Sequence, residues 1–422
     1  MVIKIKEGNK HRAVKYAMSA ASFLGPDLMG IHIGNALEYD QYVCALSSLI
    51  KSKRGLNEIE SIVQMGIKEF KISQTQTPEG LIDILNLCEK KIFNKEKIKY
   101  YIVYPINIKR RLIKKNYFDL IGTRIRVYSY RYLLNTFDME NLDVIGKGIA
   151  KEVFKPDLAY LLIEIDEIDS QRAAMGAFHK FELLRSIINF TYDYGKGHFR
   201  FSAIGDSEPL SFVQPKNHFF LFDKNHKYLE FWNLGNNFSS KELDTIPENL
   251  IDGANILLRK IKSVKDNALR DLIIEAFMLY GNVLDYYEIK AVSFLLIWQI
   301  FELISLSTKY DGMKYDEICK RMVAFFEEDS PKSDIVNLIK MKRNNLVHHG
   351  KFGDINNKDI NNGKFIVEVA ISFLLFESNF IKNLDGLNMY FEGIDYYRRL
   401  NSLNDIEHRK KILRGVSRSR PK

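Results

Sequence analysis

The period of the apolar positions changes twice along the chain, and each change marks a change of architecture. Between about residues 10 and 89 apolar residues recur at helical spacing, which predicts helices over 11–24, 39–52, 56–70 and 81–91. Thr77-Pro78-Glu79 is the start signal of the last of these: a threonine oxygen accepts an orphan amide, and proline fits a first turn whose N–H has no partner anyway. Gly25-Pro26 separates the first helix from the second. No repeat of fixed period runs through this part.

From about residue 97 the texture becomes short runs rich in Tyr, Ile, Val and Phe, which predict strands over 100–106, 123–132, 159–168, 198–204, 218–222 and 228–232. One helix over 170–190 interrupts them, with Asp169 or Ser170 as its N-cap, and Gly195-Lys196-Gly197 is a tight turn. The polar stretch 236–248 places a boundary near residue 250. Beyond it, helices over 270–285, 287–306, 314–327, 333–349 and 365–383 predict an up-and-down bundle, with breaks at Asp329-Ser330-Pro331 and across 350–363. The expected class is α+β: a helical subdomain over 1–95, a mixed α/β sheet domain over 96–250, an all-α helical bundle over 251–395 and a basic tail over 396–422.

Composition narrows the function more than the fold. A chain of 422 residues, 46% hydrophobic, has enough apolar content for two or three cores. A net charge of +9 over that length permits an acidic partner without demanding one. Cys44, Cys88 and Cys319 are isolated, so neither a zinc site nor a disulfide framework is readable and a reducing compartment is expected. The opening Met1-Val2-Ile3-Lys4 lacks an apolar signal core, and the longest apolar run, 291–304, is too short for a bilayer and holds Gln299 and Glu302. No membrane span and a cytoplasmic location are therefore expected. Gly146-Lys147-Gly148 and Gly195-Lys196-Gly197 lack the frame of a phosphate loop, and no G-x-S-x-G, H-E-x-x-H or kinase set is present. Glu164 and Asp166 share a strand face at a spacing that suits a divalent ion, but alternation on a half-exposed strand accounts for them, and no metal or cofactor is expected.

The candidate chemistry gathers on the predicted helix 333–349. Ile335, Leu338, Ile339 and Leu346 fall on one side of it, and Asn337, Lys340, Asn344 and His348 on the other. Arg343 falls nearer the apolar arc, where a charge is costly unless it is paired. The string Arg343-Asn344-Asn345-Leu346-Val347-His348, inside an all-helical region, resembles the R-x4-6-H signature of the HEPN superfamily, with the polar residue that family places just after the arginine. Upstream, residues 272–285 followed by Phe294, Trp298, Phe301 and Glu302 are similar to the two opening helices of the ApeA-like HEPN branch, where an acidic residue lies near the end of an aromatic-rich second helix. The resemblance covers roughly residues 255–385. It implies a HEPN-type bundle, a metal-independent endoribonuclease, and a homodimer that brings two motifs together across a two-fold axis. It further implies bacterial anti-phage defence by abortive infection, cutting of host RNA such as tRNA, and a phage-derived trigger or restraining partner. Arg172 and His179 form a second match to the pattern, but it lies mid-helix without the polar follower and reads as a solvated face.

Cleaving RNA without metal needs a base for the ribose 2′-hydroxyl proton, an acid for the leaving 5′ oxygen and a cation on the phosphate. His348 suits the first two tasks, since imidazole both takes and gives protons near neutral pH. Arg343 offers a fork of donors matched to a phosphate, and Asn344 orients the imidazole or a phosphate oxygen. The expected ends are a 2′,3′-cyclic phosphate and a 5′-hydroxyl. His349 lies in the same spacing window, although it projects toward the core side and also suits a helix C-cap. Glu302 either orients Arg343 or faces solvent. Lys109, Arg110, Arg111, Lys114 and Lys115, interleaved with tyrosines, and Lys340 on the motif helix are candidate RNA contacts. The alternative function is a non-catalytic HEPN interaction or RNA-binding module whose N-terminal domain carries the activity, with Arg343 a buried arginine paired to Glu302.

Overall fold

A computed structural model of the chain describes residues 3–6, 8–24, 36–52, 55–73, 75–138, 155–194, 212–216, 218–233, 242–305, 315–326, 331–350 and 354–398. The chain divides into two compact units, Met1–Ile98 with Glu167–Asp169, and Lys99–Asp166 with Ser170–Lys422. The strand at 198–204, the Gly146-Lys147-Gly148 stretch, the turn at Gly195, the breaks at Gly25-Pro26 and Asp329-Ser330, and the tail from 399 lie outside the described residues.

Among its described residues the first unit holds four helices, α1 (Lys10–Ser22), α2 (Ala36–Ser48), α3 (Leu56–Ile72) and α4 (Pro78–Phe93), and a two-strand pair, β1 (Lys4–Ile5) with β2 (Ile50–Lys51). Thr77 caps α4 by accepting the Gly80 amide at 3.1 Å, and Pro78 opens its first turn, as the sequence predicts. The Asn86 side chain ties β1 to α4 by accepting the Ile3 amide at 2.7 Å. Apolar residues one helical turn apart, such as Ile59, Ile62, Val63 and Ile67, close the core of this unit.

The second unit is built on a six-stranded sheet of order β4-β5-β6-β3-β7-β8, where β3 is Ile98–Lys109, β4 Tyr117–Leu120, β5 Thr123–Ser129, β6 Leu158–Glu167, β7 His218–Phe222 and β8 Tyr228–Asn233. Neighbours β3/β7, β4/β5, β5/β6 and β7/β8 run antiparallel. Both faces of the central strands are covered, so β6 opens on an unbroken apolar run, Leu158 to Ile163. Ile102, Tyr104 and Ile106 of β3 face the large core, while Val103 joins Tyr160, Leu162 and Phe220 on the opposite face. The strand expected over 123–132 stops at Ser129. That serine accepts the Tyr132 amide at 3.4 Å and so caps a short helix, α5 (Tyr130–Thr136).

Helix α6 (Ser170–Asp193) covers one face of the sheet and also packs on α8 (Asn267–Asp285) of the bundle. The remaining helices are α7 (Leu250–Ser263), α9 (Lys290–Ser305), α10 (Tyr315–Val323), α11 (Lys332–His349), α12 (Asn357–Phe376), α13 (Ser378–Ile381) and α14 (Leu384–Arg398). Two of them, α7 and α14, are not among the helices that the sequence pattern predicts. The polar stretch before residue 250 marks a change of texture only: one apolar core runs from the sheet through α6 into the bundle. Gly363, expected in a break, lies inside α12, where a Cβ would sit 2.7 Å from Ile297 on α9. Among the described residues no helix is long and apolar enough to cross a membrane.

Two ionic clusters lie inside this core. Arg185 on α6 donates to Glu182 one turn away and to Asp285 on α8, its Nη1 2.7 Å from Oδ1. Lys364 on α12 sits 2.7 Å from Asp193 Oδ2 on α6 and 2.5 Å from Glu368, which also accepts the Tyr280 hydroxyl at 2.6 Å. Burial pushes the Glu368 carboxyl up, against the pull of Lys364. Removing that cation in Lys364→Met strands two buried carboxylates and is expected to cost roughly 3–5 kcal/mol in urea unfolding at neutral pH. The Glu368 pKa in the folded state then rises further above its unfolded value, so the folded form holds a proton that the unfolded form releases. Stability of the variant should accordingly fall as pH rises through the carboxylate range, more steeply than in the wild type. An unchanged urea midpoint would show that the cluster contributes nothing.

Candidate active site

Helix α11 carries the predicted motif on its last two turns and ends where expected, at Gly350, whose φ of +63° is left-handed and whose amide bonds back to the Leu346 carbonyl at 3.1 Å. Its buried arc is Val336, Ile339 and Leu346; Leu338, placed on the apolar side by the sequence pattern, is instead 39% exposed. Arg343 takes its place in the buried arc, with 13% of its side chain accessible. Lys342 fixes these turns to the next helix, its Nζ reaching the Asp354 carbonyl at 2.9 Å and Asp359 at 2.6 Å.

The surroundings of Arg343 are aromatic rather than aliphatic. Its guanidinium carbon lies 4.4 Å from the ring centre of Tyr315 on α10 and 5.7 Å from that of Trp298 on α9. Nη2 is 4.0 Å from Glu302, and Nη1 donates to the Asn344 side-chain oxygen at 3.5 Å. Nε is buried and has no hydrogen-bond partner among the described residues. Glu302 is held more firmly by Trp298, whose indole N–H donates to it at 2.6 Å, one turn away on α9. A partly solvated ion pair at this distance contributes about 0–1 kcal/mol, whereas a desolvated guanidinium over an aromatic face gains up to about 2 kcal/mol. Stacking on Tyr315 therefore does most to seat Arg343, with Glu302 a weak partner.

His348 is exposed and makes no hydrogen bond to a described residue. It lies five positions after Arg343, which turns the two side chains about 140° apart around the helix axis. The structure thus brings Arg343, Asn344 and Glu302 together and leaves His348 outside that group. His349, expected on the core side, is also exposed, and Gly350 rather than an imidazole closes the helix. Sequence reasoning missed Tyr315, which follows a stretch without helical period; the i,i+4 spacing of Trp298 and Glu302 was the one signal that pointed to this pocket.

Three of the six expected RNA-contacting cations are paired with carboxylates. Lys340 pairs with Asp316, and that hydrogen bond pushes its pKa up. Lys109 lies 2.6 Å from Asp244 and 3.4 Å from Asp157, and Lys115 2.8 Å from Asp252. Arg110 binds the Ile113 carbonyl and the Asn116 side chain, while Arg111 and Lys114 are exposed. Glu164 faces Arg126 and Lys99, and no cluster of metal-ligating side chains occurs among the described residues. On α6, His179 is exposed and Arg172 half-buried.

Because Gly350 holds a left-handed conformation at the end of the motif helix, Gly350→Ala is expected to cost about 1–2 kcal/mol. It should also speed amide exchange at Val347 to His349 by loosening the last turn; exchange rates equal to wild type would show that the turn is held by other contacts.

No protein family, curated protein or solved structure matches this chain.

Proposed function

We propose that the protein is a metal-independent endoribonuclease of HEPN type, acting through Arg343, Asn344 and His348. The observation that supports it is the exposed imidazole of His348 on the same helix end as a guanidinium oriented by Asn344 and only loosely paired to Glu302. In the proposed reaction His348 removes the proton from a ribose 2′-hydroxyl, the 2′ oxygen attacks phosphorus, and the bond from phosphorus to the 5′ oxygen breaks. The substrate phosphate displaces Glu302 from Arg343, whose planar fork then holds the charge that develops on the phosphoryl oxygens. A second imidazole must protonate the leaving oxygen, and His348 of a second copy across a two-fold axis supplies it. Leu338, Met341 and Val347 are exposed on α11, an apolar addition that suits burial against such a copy. In a bacterial cell this activity would cut host RNA such as tRNA during abortive anti-phage defence, under a phage-derived trigger or a restraining partner.

The burial of Arg343 favours a second reading, in which the arginine is structural and the bundle is an interaction or RNA-binding module without catalysis. One experiment separates the two. Purified protein is incubated with total RNA in EDTA beside Arg343→Ala and His348→Ala. On the first reading each substitution slows cleavage by at least about 100-fold, and the products carry 2′,3′-cyclic phosphate ends. Equal cleavage by all three proteins rejects it. No cleavage by any of them, with expression harmless to a bacterial host, leaves the second.

A further inference from the structure

The edge of the sheet made by β4, β5 and α5 encloses a cleft of about 430 Å³, within the range of small-ligand sites. On β5 the side chains alternate: Ile125 and Val127 enter the core, so Arg124, Arg126 and Tyr128 share the opposite face. The register sets Tyr117 of β4 opposite Arg126, and β4 is the outermost strand, so this face is open along one side. Tyr132 of α5 closes the other end, its ring stacked on Tyr128 with centroids 3.8 Å apart and planes at 3°. The Arg124 guanidinium lies 4.3 Å from the ring centre of Tyr117. Arg110 also lines the cleft, held by the Ile113 carbonyl and, at 2.6 Å, by the Asn116 side-chain oxygen.

Charge and exposure both point to a ligand. Arg124 pairs with Asp119 and Arg126 with Glu164, but Arg110 has no carboxylate partner among the described residues, so the cleft keeps a positive excess. The same sheet buries Tyr104 and Tyr160 completely, whereas Tyr117 and Tyr132 remain 45% and 42% exposed. Two open aromatic faces flanking a row of guanidinium groups do not suit a bare anion, which would leave the rings unused. They do not suit a duplex either, whose bases are already stacked on one another. They match an unpaired strand, whose bases stack on aromatic rings while its phosphates meet arginines.

We propose that this cleft binds a short run of unpaired nucleic acid, with bases on Tyr117 and Tyr132 and phosphates on Arg110, Arg124 and Arg126. That the strand is RNA rests on the ribonuclease reading above. A strand held here is part of the substrate of the proposed nuclease, and the cleft would give that nuclease its preference for single-stranded regions.

The test is fluorescence anisotropy of the full chain with a labelled, fully 2′-O-methylated single-stranded dodecamer. This probe lacks the 2′-hydroxyl needed for cleavage, so its binding is read independently of any nuclease activity. Tyr117→Ala and Tyr132→Ala are each expected to weaken binding by roughly fivefold or more, while Tyr132→Phe keeps the ring and stays within about twofold of wild type. Arg110→Gln should weaken binding and reduce its dependence on salt. The same sequence in a duplex should bind more weakly, and adenosine monophosphate at the concentration of the bound strand's phosphates should fail to displace it. The proposal is overturned if the alanine variants bind like wild type, if the duplex binds as tightly, or if the mononucleotide displaces the strand and so identifies the cleft as a free-nucleotide site.

Discussion

The second unit depends on the requirement that no charge be left alone inside it. Arg185 and Lys364 are almost inaccessible to water, and each faces two carboxylates, Glu182 with Asp285 and Asp193 with Glu368. Clusters of this kind are not an efficient source of stability, since well-packed apolar side chains of similar volume often do as well or better. Their effect is on alternatives. Sliding α6 by one turn against α8 would take Arg185 from Asp285, sliding it against α12 would take Asp193 from Lys364, and each stranded carboxylate would cost several kcal/mol. The approach of the helices leaves as little tolerance, because a Cβ on Gly281 of α8 would fall 2.0 Å from the Ser186 hydroxyl on α6. As α6 also covers the sheet, these constraints make sheet and bundle one body.

The same logic reaches the candidate site through fewer steps than the sequence distance implies. Helix α12, fixed by Lys364, packs on α9, where Trp298 and Glu302 stand, and receives Lys342 of α11 on Asp359. Two of the three helices that form the pocket around Arg343, α9 and α11, are therefore held against α12, by close packing at Gly363 and by the Lys342–Asp359 pair. A change at Lys364 or Gly363 would shift the seat of Arg343 without touching it.

What the sequence revealed followed from how local the cause was. Thr77-Pro78, the stop at Gly350 and the apolar runs of β6 and β7 act over a few residues, and they are found where their chemistry predicts. The strand ending at Ser129 was misread because Tyr130 and Tyr132 continue a β-rich composition, while the serine hydroxyl favours a helix start. The continuity of the core across residue 250 was hidden for another reason. It is carried by Asp193, Asp285 and Lys364, ordinary charged residues whose pairing over long separations leaves no periodic trace. The placement of Arg343 on the apolar arc was legible, since helix geometry alone requires it, but its seat on Tyr315 was not.

That seat divides the labour of the proposed chemistry. An imidazole working as base or acid must meet solvent and substrate, and His348 is open to both. A guanidinium working as an electrostatic clamp gains from the opposite environment, because a site with little water strengthens its attraction for phosphate and a fixed orientation avoids the cost of ordering a long side chain. Arg343 meets that second condition with its aromatic neighbours, Asn344 and a carboxylate 4.0 Å away. Because the two groups leave the helix in different directions, a single phosphate can satisfy both only at the exposed rim of the pocket near Asn344, the residue between them on the helix surface. A scissile phosphate seated there would have Asn344 beside it, the arginine behind it and the histidine in front.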